Sequence, residues 1–186
     1  NEVTLQIHTP PTAAPIGDSA IDEDTTYNGS VTIGDDVTPV DNLNLLVTSS
    51  NQALVPNANI LWGTNGSVRS LQIVPVADLT GSTTITVRVS DPNWFFERTF
   101  VLTVGAVNDA PTASPIGPHS TAEDTTINPI TLTVGDIDSA VNDLIVTATS
   151  SDQAIVPNAN IIVGGSGANR TLTITPASNA HGVVSI

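Results

Sequence analysis

The sequence contains itself twice. Residues 11–17 (PTAAPIG) return as PTASPIG at 111–117, and EDTT at 23–26 returns at 123–126, both displaced by 100 positions. After one inserted residue the displacement becomes 101 and holds, so that SSNQALVPNANI at 49–60 returns as SSDQAIVPNANI at 150–161. Between 35–85 and 136–186, 22 of 51 positions are identical without a further gap. The period is far from the 20–50 residues of solenoid repeats and matches one β-sandwich domain.

Within each copy the apolar residues alternate with polar ones. Residues 82–90 (STTITVRVS) place Ile85, Val87 and Val89 on one face and Thr84, Thr86 and Arg88 on the other. Residues 99–104 group Phe100, Leu102 and Val104, and 43–47, 70–74, 144–148 and 171–175 repeat the pattern. Period two, enrichment in Thr, Val and Ile, and Gly, Pro and Asn between the runs predict antiparallel strands with one wet face. No window has helical periodicity. About seven short strands per hundred residues predicts an all-β chain of tandem immunoglobulin-like sandwiches.

The copies set the expected domains. Residues 10–107 form the first sandwich and 108–186 the second. Because Ile186 aligns with Ile85, the second is expected to lack its last strands. Residues 1–9 carry EVTLQI, whose Val3, Leu5 and Ile7 match the apolar face of the final strand at 100–104. They are expected to be the last strand and linker of a preceding repeat, in a piece cut from a longer array, or else a strand donated to the second sandwich of another copy.

Charge narrows the function classes. Eighteen acids face four bases, a formal net charge of -14; every base is an arginine, and 14 of the acids are aspartate. Such a field repels nucleic acid and anionic membranes. No apolar run is long enough to cross a bilayer. With no cysteine there are no disulfides, thiolate metal sites or cysteine nucleophiles. Aspartate-rich acidity suits either a solvated surface in a salty medium or oxygen ligands for a hard cation.

VNDAP at 107–111, EDT early in each copy, GDID at 135–138 and VSD at 89–91 together resemble cadherin-like, immunoglobulin-type tandem repeats of large bacterial surface proteins. The resemblance covers essentially the whole chain and rests on the order and spacing of motifs that are individually weak. It implies an extracellular, non-enzymatic stalk or fibre whose partners are adjacent repeats or copies of itself. It further implies Ca²⁺ at the domain junction, with ligands from Glu23 and Asp91 of the first domain, Asn108 and Asp109 of the linker, and Asp136, Asp138 and Asn142 or Asp143 of the second. The first junction departs from this pattern: its linker, IHTPP, lacks the Asn-Asp pair, and Val37 stands where the second copy has Asp138. The two losses occur together, so that junction is expected to lack the ion. The other reading of Asp109 and Asp138 is local: aspartate stabilises turns by bonding nearby backbone.

Trp62, Trp94 and Phe95 offer rings that stack on sugars and suggest a polysaccharide-binding module. Alternatively Phe96 continues the inward face of Phe100 while Trp94 caps the sandwich end. His8, His119 and His181 lie apart, in surface-like stretches, and no nucleophile elbow or recognisable carboxylate pair accompanies them. An enzyme is not expected. Arg69 and Arg170 occupy equivalent positions, which argues for one structural role performed twice.

Overall fold

A computed structural model describes residues 8–186. Val3, Leu5 and Ile7, the expected assembly strand, lie outside the described residues. The chain divides into two compact units, Asn1–Val107 and Asn108–Ile186. No described helix is long and apolar enough to cross a membrane.

The first unit contains β1 (Thr12–Ala13), β2 (Ser19–Asp22), β3 (Tyr27–Gly34), β4 (Asn44–Ser49), β5 (Ile60–Trp62), β6 (Val68–Ile73), β7 (Gly81–Ser90) and β8 (Phe95–Gly105). They form two four-stranded sheets, ordered β1-β3-β6-β5 and β2-β8-β7-β4. This is the order of an immunoglobulin-type sandwich, with a short extra strand on the outer edge of the second sheet. That extra strand, β2, runs parallel to β8, the one departure here from the antiparallel expectation. The alternation read in β7 is realised: Ile85, Val87 and Val89 are wholly buried, and they join Val31, Leu71 and Ile73 in the core.

The second unit repeats only the first of these sheets. β9 (Thr112–Ala113), β10 (Ile127–Gly135), β11 (Ile161–Ser166) and β12 (Asn169–Ile174) pair in the order β11-β12-β10-β9. The strand expected at 144–148 does not form. Its counterpart β4 pairs with β7 from Asn44↔Ser90 to Ser49↔Ile85, and at the displacement of 101 only the last of these pairs, Ser150 with Ile186, has both members in this sequence. The start of that pairing is visible, since Ser151 N–H donates to the Ser185 carbonyl at 2.9 Å, as Ser50 N–H does to Thr84 at 3.0 Å. Leu144, Val146 and Ala148 still pack on the Leu132, Val134, Leu172 and Ile174 cluster without a ladder to hold them. The second unit also has an open cleft of about 610 Å³, lined by Ile127, Ile130, Ile155, Leu172 and Val184 among others.

Candidate functional site

Each unit presents acids at its ends, and backbone geometry accounts for several of them. Asp24, Asp78, Asp124 and Asn179 all have φ between 55 and 60°, a left-handed conformation in which Asp and Asn are strongly favoured among non-glycine residues. Asp24 Oδ1 accepts the Asp78 N–H at 3.2 Å, and Asp124 Oδ1 accepts the Asn179 N–H at 2.9 Å. The same clasp therefore closes both units, with one more carboxylate in the first.

Glu23 is the buried acid of the first unit, only 4 % exposed. Its own N–H donates to the Gly105 carbonyl at 2.8 Å, and its Oε1 accepts the Val107 N–H at 2.8 Å. Glu23 thereby fixes the chain as it leaves β8. Glu123, in the same EDTT motif, is exposed.

In the second unit Asp136 Oδ1 accepts the N–H groups of Asp138 and Ser139, at 3.0 and 2.7 Å. This turn aims Asp138, whose Oδ2 accepts the Asp109 N–H at 2.6 Å. The Asn108 amide donates to the Asp109 carbonyl at 2.7 Å. The backbone of the linker is thus gripped by carboxylates at Val107 and at Asp109, each within its own unit.

The first unit builds the same turn with Asp35, which accepts from Val37 and Thr38 at 2.8 and 2.7 Å. There the incoming N–H, that of Thr9, is held by Asp36, at 3.2 and 3.4 Å to its two oxygens. Val37 stands where the second unit has its aspartate, and at this turn the neighbouring acid makes the hydrogen bond to the incoming N–H. The Asp35 carboxyl is held below the usual carboxylate range by the Thr38 N–H above all and the Val37 N–H next, against opposing burial, with smaller help from Asp36 and His8.

A lowered folded pKa means stability that is complete above the unfolded value, near 3.8, and is lost as pH falls through the folded value. Asp35→Asn keeps the acceptor oxygen and loses the charge. The melting temperature of its first unit is expected to fall less steeply than that of the unsubstituted chain on acidification from pH 5 to about pH 2; parallel melting curves would contradict this.

One expected ligand is placed elsewhere. Asp91 lies in the β7–β8 hairpin, where Oδ1 accepts from Asn93 and Trp94, both at 2.6 Å. Glu23 sits at the far end of β8, an 11-residue strand about 35 Å long. Asp91 and Glu23 therefore do not share a pole. Asn142 and Asp143 are exposed; Asp143 N–H closes a turn on the Ala140 carbonyl at 2.8 Å, and Asn142 Oδ1 lies beside Gly167, where its counterpart Asp41 binds the Gly66 N–H at 2.6 Å. Among the described residues, neither unit alone gathers three carboxylate or imidazole ligands within 4.8 Å. Asp24 and Asp78 went unread as candidates although the EDTT repeat contains one of them; the signal was an Asx at both positions in both copies.

The aromatic residues do not form one platform. Trp62 is partly buried against the core on edge strand β5, and the groove around it is lined by Asn28, Ser70 and Gln72, without Trp94 or Phe95. Phe96 packs on the core, while Trp94 is 44 % exposed, with its ring 6.3 Å from that of His8. Phe95 carries the Arg88 guanidinium 3.7 Å above its ring, which covers one face that a sugar would need.

No family model matches the sequence, and no curated protein matches it. Solved structures similar to this chain include the titin domains z1z2 in complex with telethonin, at 12 % identity over 92 % of this chain and 84 % of that one, with a TM-score of 0.42. A chimeric titin z1z2 functionalised with an exogenous peptide from decorin is 17 % identical over 55 % of this chain and all of that one, at 0.43. Domains 4 and 5 of the S-layer protein SbsC are 20 % identical over 53 % of each chain, at 0.41. The sandwich assignment itself rests on the strand order of the first unit.

Proposed function

We propose that this chain is a structural repeat module of an extracellular bacterial protein, a length of stalk whose junction at Asn108 and Asp109 is stiffened by Ca²⁺. The supporting observation is the pair of carboxylate grips on the linker backbone, Glu23 on Val107 and Asp138 on Asp109. Asp109 of the linker, with Asp136 and Asp138 of the second unit, would hold the ion. Their donors are all carboxylate oxygens, the set a hard divalent cation takes. The ion would offset the mutual repulsion of these acids and favour one arrangement of the linker. Partners in this reading are neighbouring repeats or further copies of the chain.

Millimolar Ca²⁺ is expected to raise the melting temperature, with about 2.7 kcal/mol of stabilisation when free Ca²⁺ reaches a hundred times its dissociation constant. The shift should vanish in Asp138→Ala. No shift in the unsubstituted chain would remove the metal from this reading, and an undiminished shift in the variant would place the ion elsewhere. The apolar cleft of the second unit favours a second reading, assembly of copies by strand addition with Val3, Leu5 and Ile7 as the added strand. Polymers that disappear on deletion of residues 1–8 would support it; monomers of the intact chain would count against it.

A further inference from the structure

Two of the four arginines are buried, Arg69 at 1 % and Arg170 at 8 % exposure. Neither has a carboxylate within salt-bridge distance; among the described residues the one ion pair is the exposed Arg88–Glu97 contact at 3.9 Å. A buried cation without an anion is costly unless its surroundings supply the opposite charge. Both arginines spend their guanidinium on the same object. Arg69 Nη2 donates to the Val40 carbonyl at 2.7 Å. Arg170 Nη2 donates to the equivalent Val141 carbonyl at 3.1 Å and to Leu144 at 3.3 Å, and its Nη1 donates to Gly167. The loops held in this way run from β3 to β4 and from β10 to residue 144. They carry Asp35, Asp36 and Asp41 in the first unit and Asp136, Asp138 and Asp143 in the second.

We infer that Arg170, like Arg69 in its unit, is the positioning residue of the acid-bearing loop and its resident counter-charge. The guanidinium draws the loop carbonyls inward, so the carboxylates are the groups displayed at the pole. Its fixed positive charge offsets repulsion among three acids within eight residues. The Asp136 turn, and with it the Asp138 grip on Asp109, is therefore formed before any cation arrives. Arginine suits this task because its planar fork reaches several carbonyls at once and stays ionised when buried, whereas a lysine offers one compact charge. This goes beyond the metal-junction reading, and only its Ca²⁺ readout rests on that reading.

The test uses the whole chain with Arg170→Met, Arg170→Lys and Arg69→Met, read by amide hydrogen exchange without Ca²⁺. In Arg170→Met the amides of Asp109, Asp138 and Ser139 are expected to exchange at least tenfold faster relative to the Leu172 amide in β12, which reports general opening of the unit. Arg170→Lys, which keeps the charge and loses the fork, should restore part of the protection and remains readable if the Met variant does not fold. Arg69→Met should leave these three amides unchanged. With Ca²⁺, Arg170→Met should weaken the apparent affinity about tenfold while Arg69→Met does not. Unchanged relative exchange at Asp109, Asp138 and Ser139 in both Arg170 variants would overturn the inference, as would an equal effect from Arg69→Met. If the unsubstituted chain shows no response to Ca²⁺, the metal reading fails, and the exchange comparison still decides the role of Arg170.

Discussion

Ile85→Ala is expected to destabilise the first unit by about 2–5 kcal/mol, the range for truncating a buried aliphatic side chain that leaves a cavity. Ile85 is wholly buried, lies in the centre of β7 and is paired on both sides, with Ser49 of β4 and Phe100 of β8. Its neighbours are fixed by two ladders, so they cannot collapse into the space. The matching change, Ile186→Ala, is expected to cost about 1 kcal/mol or less, since Ile186 is 47 % exposed and loses little contact. Both tryptophans, Trp62 and Trp94, belong to the first unit, so fluorescence-monitored denaturation reports the first change directly. Exchange at Leu172 reports the second. Comparable losses at the two isoleucines would contradict the assignment of a closed core to one unit and an open one to the other.

Glu23→Ala should cost the first unit about 1.5–3 kcal/mol, the range for a hydrogen bond to a charged group. The carboxylate is buried, and it supplies the acceptor that holds the Val107 N–H as the chain leaves β8. Glu23→Gln keeps an acceptor oxygen and should retain most of that stability. Glu123→Ala removes the same residue from the same motif and should change stability by about 0.5 kcal/mol or less, as exposed substitutions usually do. Equal effects of Glu23→Ala and Glu123→Ala would show that the motif serves the local turn alone, without gripping the exit strand.

The strands that formed where period two was clearest did so for a local reason. β7 and β12 carry alternation strong enough that only one register buries the apolar face. The stretch at 144–148 has the same alternation and remains unpaired, because a strand is a relation between two segments and periodicity describes only one. Asp91 illustrates a second limit. Its place in VSD resembles the ligand position of a repeat family, but the hairpin turns its carboxylate onto Asn93 and Trp94. The long β8 strand then carries it away from Glu23.

By itself the sequence determined the duplication, the β-class and the alternating faces, since these follow from residue identity and spacing along one chain. It also marked Arg69 and Arg170 as equivalent. Only the tertiary structure decided that Glu23 is buried while Glu123 is not, and that Asp36 replaces the grip of the missing aspartate at position 37. It likewise turned the equivalence of the two arginines into a function, by laying each beneath an acid loop some 29 residues distant in sequence. Hydrogen-bond partnership and burial are properties of segments brought together across the fold, and the spacing along any one segment does not contain them.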